Sequence, residues 1–240
     1  MAEPLRIDVL TIFPSMFAAF LSESIVKRAR EKGLLKVEVH NLRKWAHDVH
    51  RSVDDRPFGG GPGMVMKPEP IFEAVEEIKS KIKNQKSKII LLTPQGKKLD
   101  QTLARRLARS RTRHWILICG RYEGVDERVR RNLATDEISI GDYITTGGEL
   151  PAMILIDVVT RFLPHALGDE RSADSDSFTE NLLEYPQYTR PRNFRGTKVP
   201  EVLLSGDHDR IEKWRKKKSL LKTRRRRPDL LGELKKPVSF

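Results

Sequence analysis

The sequence predicts an α/β protein: a parallel sheet with ligand-binding loops at the carboxyl ends of its strands, followed by a small, mostly helical, basic domain. Three observations predict it. Short apolar runs at residues 89–92, 115–119 and 137–140 each lead into a loop that contains glycine, and runs of that length bounded by turn residues read as buried strands. Between the last two, Val125, Val129 and Leu133 recur at four-residue spacing, which suits one face of a helix. Finally, residues 207–227 hold eleven Lys/Arg against three acids, a net +8 out of +13 for the whole chain.

Taken in order, residues 5–12 (LRIDVLTI) alternate enough for a first strand. Pro14 suits the first turn of a helix and Gly33 its end, with Met16, Phe17, Phe20, Leu21 and Ile25 on the apolar face. Val37 and Val39 suggest a second strand. A long polar segment, residues 47–66, follows. His47, His50, Asp54 and Asp55 invite a metal reading, but their spacing fits no zinc pattern, and no metal is expected. An amphipathic helix over 70–82 carries Ile71, Val75, Ile78 and Ile82, and a further helix carries Leu99, Leu103 and Leu107. Residues 151–163 are apolar around most of a helix circumference, which predicts burial. Residues 168–177 (GDERSADSDS) read as a linker. A last helix starts near Asp207.

The three strand-end loops fit neither familiar nucleotide signature, since no G-x-G-x-x-G follows a strand and no G-x-x-x-x-G-K-[ST] occurs. Their glycines either close tight turns or let backbone approach a ligand. Three such loops after three strands favour a site, because ligands bind at the carboxyl edge of open α/β sheets. Of 240 residues, 46 are Lys or Arg and 33 Asp or Glu. That balance points to a polyanionic partner, nucleic acid before membrane. The single cysteine, Cys119, excludes an internal disulfide framework and fits a reducing compartment. No apolar run is long enough to span a membrane, no signal peptide is expected, and a cytoplasmic location is.

GRYEGVDERV (120–129), SIGDY (139–143), GGELPA (147–152) and DDRPFGGGPGM (54–64) together resemble the bacterial tRNA (guanine-37-N1) methyltransferases of the SPOUT superfamily. LTPQGKKLDQ, RFLP, DSF, YTRP and VLLSGDH extend the resemblance through nearly the whole chain. It implies a SPOUT-type parallel sheet with a trefoil knot of backbone at the cofactor site; knots are so rare that no patterning argument would propose one. It also implies a catalytic domain over 1–167 that binds S-adenosylmethionine, a flexible linker over 168–182 and a basic helical tRNA-binding domain over 183–240. The partners implied are tRNA with guanosine at position 37 and a second copy of the chain. Each active site would draw on both subunits, with the 151–163 helix near their interface.

The reaction implied is transfer of the methyl group of S-adenosylmethionine to N1 of guanosine 37. Neutral guanine carries a proton on N1, so a base must remove it and charge must be accommodated on O6. The resemblance gives Asp176 as the base and Arg161 as the cation facing the developing anion. It puts Glu123 beside both cofactor and guanine. For the cofactor pocket it implies Leu92, Thr93, Pro94, Gly120, Tyr122, Glu123, Ser139, Ile140, Gly141, Tyr143, Thr145, Gly147, Gly148 and Pro151, with residues 59–63 letting the polar loop approach closely. Thr93 stands where serine also occurs in the family and keeps the hydroxyl. Without the resemblance, Asp176 reads as a loop aspartate bonding its own backbone and Arg161 as a helix-end cation. The alternatives are another SPOUT RNA methyltransferase, acting on ribosomal RNA or a ribose 2′-hydroxyl, and a non-catalytic RNA-binding protein.

Overall fold

The computed structural model describes residues 3–82, 86–167 and 176–232. The chain divides into two compact units, Met1–Glu170 and Arg171–Phe240.

The first unit is built on a five-stranded, all-parallel sheet. Its strands are β1 (Leu5–Thr11), β2 (Leu35–Asn41), β5 (Ser87–Lys98), β6 (His114–Cys119) and β7 (Asp136–Ser139), in the order β2-β1-β6-β5-β7. The two-residue strands β3 (Asp54–Asp55) and β4 (Val65–Met66) form a separate hairpin. Side chains alternate between two cores. Leu5, Ile7, Val9, Ile90, Trp115 and Leu117 pack with α2 (Ser24–Glu31), α4 (Gln101–Ala108) and α6 (Glu149–Thr160). Leu10, Ile89, Leu91, Ile116 and Ile118 pack with α3 (Pro68–Ser80) and α5 (Glu127–Asn132). A parallel sheet covered on both faces explains why β6 reads as an unbroken apolar run.

Four departures from the sequence reading bear on the site. The helix expected from Pro14 to Gly33 is three pieces: a 3₁₀ turn (Pro14–Phe17), α1 (Ala18–Ser22) and α2. Glu23 between them is extended, and the Ser22 hydroxyl donates to the carbonyl of Ala19 at 3.0 Å, a local bond that competes with the helix ladder. Strand β5 does not stop at Leu92. It pairs with β7 up to Leu92–Ile138, bulges, and pairs again from Lys97–Ile138 to Lys98–Ser139. The bulge closes tightly because Gly96 has no side chain: a Cβ there would lie 2.4 Å from the backbone nitrogen of Ile138. Strand β7 runs one residue earlier than expected, because pairing with β5 starts at Asp136. Helix α6 is not buried all round. Ala152, Leu155, Ile156 and Val159 are enclosed against the sheet, while Leu150 and Ile154 are 49% and 39% exposed.

In the second unit the main element is α7 (His208–Arg226), capped by the Asp207 carboxylate, which accepts from the Arg210 N–H at 3.0 Å. Thr223 is buried on this helix and accepts from the Leu183 N–H at 2.8 Å. A 3₁₀ turn lies on either side, and β8 (Asn193–Phe194) and β9 (Thr197–Lys198) form a short hairpin. Of the linker expected over 168–182, residues 168–175 lie outside the described residues. Residues 176–182 turn back on themselves, with the Phe178 N–H donating to the carbonyl of Leu182 at 2.7 Å and Ser177 Oγ accepting from Glu184 N–H at 3.0 Å.

Candidate active site

The bulge within β5 and the carboxyl ends of β6 and β7 bring three loops to one cleft of about 520 Å³. Backbone contacts fix the loops. The N–H of Gly148 donates to the carbonyl of Gly120 at 2.8 Å, and Arg121 bridges Gly147 in antiparallel fashion. Position 148 must be glycine, because a Cβ would lie 2.6 Å from the Cα of Cys119. After β7, the buried Ser139 hydroxyl accepts from the Gly141 N–H at 3.2 Å and closes the turn. Gly141 adopts φ 149°, a conformation that side chains resist. Tyr122 sits in the left-handed region at φ 58° with its ring half exposed, an unusual backbone state for an aromatic residue.

Beneath the cleft lies a buried polar cluster. Glu149, fully enclosed at the start of α6, accepts from Thr11 Oγ1 at 2.7 Å and from Arg121 Nε at 2.9 Å. Arg121 also donates to the carbonyl of Thr146 at 3.1 Å and covers the Phe13 ring at 4.5 Å. Between the end of β6 and Glu149, burial pushes the Cys119 thiol well up, and the Glu149 carboxylate adds to the effect. At the rim, hydrogen bonds from Arg130 and Arg131 lower the exposed Glu127 carboxyl to about 2.

All fourteen residues that the resemblance implies for the cofactor line this one cleft, Glu123 among them. Residues 47–66 do not line it. They back it instead: Gly63 abuts the Glu123 side chain, and the Met64 carbonyl accepts from the Glu123 N–H at 3.0 Å. The other two catalytic candidates are not among the residues that line it. Arg161 caps the C-terminus of α6 and is not among the lining residues. Asp176 belongs to the second unit, where it lines a separate cavity of about 300 Å³ with Glu180, Glu184, Glu212 and Arg215. His47 pairs with Glu73 at 2.7 Å rather than joining His50, Asp54 and Asp55 in a cluster. Among the described residues, the acids and imidazole that do converge are Asp8, Glu38 and His40, and the Arg6 guanidinium already bridges the two acids.

Sequence reasoning missed Thr11, Arg121 and Glu149. One signal was available, an acid opening an otherwise apolar helix directly after two glycines, but its partners come from the end of β1 and the loop after β6.

Comparison with known proteins places the chain among relatives. Residues 5–233 match the profile of the family described as tRNA (Guanine-1)-methyltransferase TrmD. The chain is 59% identical over 230 residues to the tRNA (guanine-N(1)-)-methyltransferase of Moorella thermoacetica, covering 96% of this chain and 91% of that one. It is 55% identical to the protein of the same name from Dehalococcoides mccartyi, covering 96% and 92%. With that from Geobacillus kaustophilus it shares 56% over 229 residues, covering 95% and 92%.

Proposed function

The chain belongs to the tRNA (guanine-1)-methyltransferase family, and from that premise we propose that it moves a methyl group from S-adenosylmethionine to N1 of guanosine 37 in tRNA. Methylation of a tRNA guanine at N1 is the activity of the family, and a methyl donor is implied by it. The observation that carries the finer reading is the single cleft walled by the three strand-end loops.

The cleft suits S-adenosylmethionine. Its volume is that of a small-ligand site. Leu92, Pro94, Ile138, Ile140 and Pro151 offer apolar surface for an adenine, and the glycine backbone offers N–H and C=O groups for its edge. When bound, S-adenosylmethionine supplies an electrophilic methyl on a sulfonium. Glu123, exposed in the cleft, is placed to face that positive charge or the guanine edge. We assign Asp176 to take the N1 proton, which frees the N1 lone pair to attack. Arg161 balances the negative charge that then builds on O6, a task suited to a guanidinium that stays charged. Neither assignment rests on a contact within the cleft; both rest on the match to the family's motifs.

Three further features belong to the same proposal. The double pairing of β5 with β7 and the passage of residues 147–148 beside 119–121 support a trefoil knot. The exposed Leu150 and Ile154 on α6 support a homodimer whose active sites draw on both subunits. The basic second unit supports a tRNA-binding role. Among the described residues no helix is long and apolar enough to cross a membrane, and the tRNA substrate suits the cytoplasm.

The test is transfer of a radiolabelled methyl to a panel of tRNA transcripts, followed by nucleoside mapping. The expected product is 1-methylguanosine at position 37. Label on a ribose would instead favour a 2′-O-methyltransferase. Light scattering should report about twice the 27.6 kDa chain mass; a fully active monomer would rule out shared sites.

A further inference from the structure

The second unit holds a cavity of about 370 Å³ that the chemistry above does not use. Tyr185 and Tyr188 give it aromatic faces, and Arg190, Arg192 and Arg215 give it charge. The rest of the lining is apolar or neutral, without a carboxylate. Aromatic rings here are already in contact with cations, and Tyr188 with a neighbouring ring. Arg215 lies 4.7 Å from the centre of the Tyr185 ring, Tyr188 packs at a tilt against Trp214 at 6.5 Å, and Lys218 sits 5.6 Å from the Trp214 ring. Tyr188 remains 47% exposed, so part of its surface is open to a partner.

The three arginines differ from those of one cluster in the first unit. On and beside α5, Arg128, Arg130 and Arg131 each pair with Asp126 or Glu127. Among the described residues no ion pair joins Arg190, Arg192 or Arg215 to a carboxylate. Three guanidinium groups around one cavity repel one another, and an anion would relieve that repulsion. A guanidinium matches phosphate through two parallel N–H bonds. Tyrosine faces stack on bases of any sequence. A ligand with a phosphate and a flat π-face is a nucleotide, and unpaired nucleotides are the part of an RNA that offers both.

We propose that this cavity is a subsite for one unpaired nucleotide of the RNA substrate, its base stacked on Tyr188 and its phosphate held by Arg190 and Arg192. The proposal rests on the tRNA reading above. Tyr185 and Arg215 also line the neighbouring cavity that contains Asp176. A nucleotide held here therefore anchors the strand next to the carboxylate assigned to the N1 proton.

The test uses the full-length protein and a tRNA transcript with 4-thiouridine in its single-stranded loops. Irradiation should cross-link a loop nucleotide to the peptide containing Tyr185 and Tyr188, as mapped by mass spectrometry. The double variant Tyr188→Ala, Arg192→Ala should lose that cross-link and raise KM for tRNA about tenfold, within the range for one base-stacking interaction. Its kcat, melting temperature and S-adenosylmethionine affinity should stay at wild-type values. Tyr188→Phe keeps the stacking face and should retain wild-type KM. Cross-links confined to other peptides, or an unchanged KM in the double variant, would overturn the subsite. A wild-type protein that cross-links here yet transfers no methyl would overturn the methyltransferase reading and leave the subsite standing.

Discussion

Arg121 and Glu149 form an ion pair at 2.9 Å whose acid is wholly enclosed and whose guanidinium is 15% exposed. The pair ties the loop after β6 to the helix that follows the loop after β7, and Thr11 holds the same carboxylate from β1. Glu149→Gln keeps the shape but removes the charge opposite Arg121. Breaking a buried pair from one side should cost about 3 kcal/mol, and the melting temperature should fall roughly 6–12 °C for a chain of this size. Affinity for S-adenosylmethionine should fall with it, because residues 120–122 and 147–148 line the cleft that the pair secures. Calorimetry reads both effects. Weakened stability with intact affinity would show that the loops hold their places without the pair.

Gly141→Leu should abolish S-adenosylmethionine binding while the protein stays folded. The residue lies on the cleft at φ 149°, and a Cβ would meet the Tyr143 ring at 2.5 Å. Titration calorimetry of the wild type should show one site per chain. Undiminished binding by a folded Gly141→Leu variant would remove Gly141 from the site.

Replacing the four arginines at 224–227 with neutral residues should weaken tRNA binding and flatten its salt dependence. Each phosphate that is no longer neutralised by the protein reduces the slope by about 0.9 log units. Cofactor affinity should hold, and an unchanged slope would return this run to a solvated helix end.

Asp176→Asn should lower the single-turnover methyl-transfer rate by roughly 10²–10⁴-fold, the range for loss of a general base. Single turnover is required so that product release does not mask the chemistry. Asp174→Asn is the control. Equal damage from both variants would point to general charge in this segment, and a near-normal rate in Asp176→Asn would move the role to Glu123.

Asp8 makes stability depend on pH. Burial alone would raise its carboxyl, yet hydrogen bonds with His114, His40 and Arg6 hold it far below the usual range. A depressed carboxyl stabilises the fold above its unfolded value, about 3.9, and that contribution is lost as pH falls below it. Urea midpoints should therefore drop more steeply below about pH 4 in the wild type than in Asp8→Asn. Parallel curves would show that other acids set the limit.

The strands were legible because a sheet covered on both faces needs apolar residues at consecutive positions, as in β6. The loops were legible as meeting at one sheet edge because each run leads into a loop that contains glycine. The continuation of β5 through residues 93–98 was not, since its partner lies some forty residues away and no local pattern announces a second pairing. Helix α6 looked buried because its composition reports apolar surface, not what covers it. The Thr11–Glu149–Arg121 cluster joins three segments that no spacing connects. Arg161 and Asp176 carried no physical signal of their own; resemblance alone singled them out.

Gly96 acts on the cleft from outside its lining. It does not line the cleft, yet the backbones of β5 and β7 touch across it, and both strands contribute residues to the cleft wall. Any side chain at 96 would act as a wedge between them and splay the wall from behind. The width of the cleft is thus gauged by a missing atom on the far side of the strand. A surveyor of variants who scored only ligand contacts would pass over the position that sets its width.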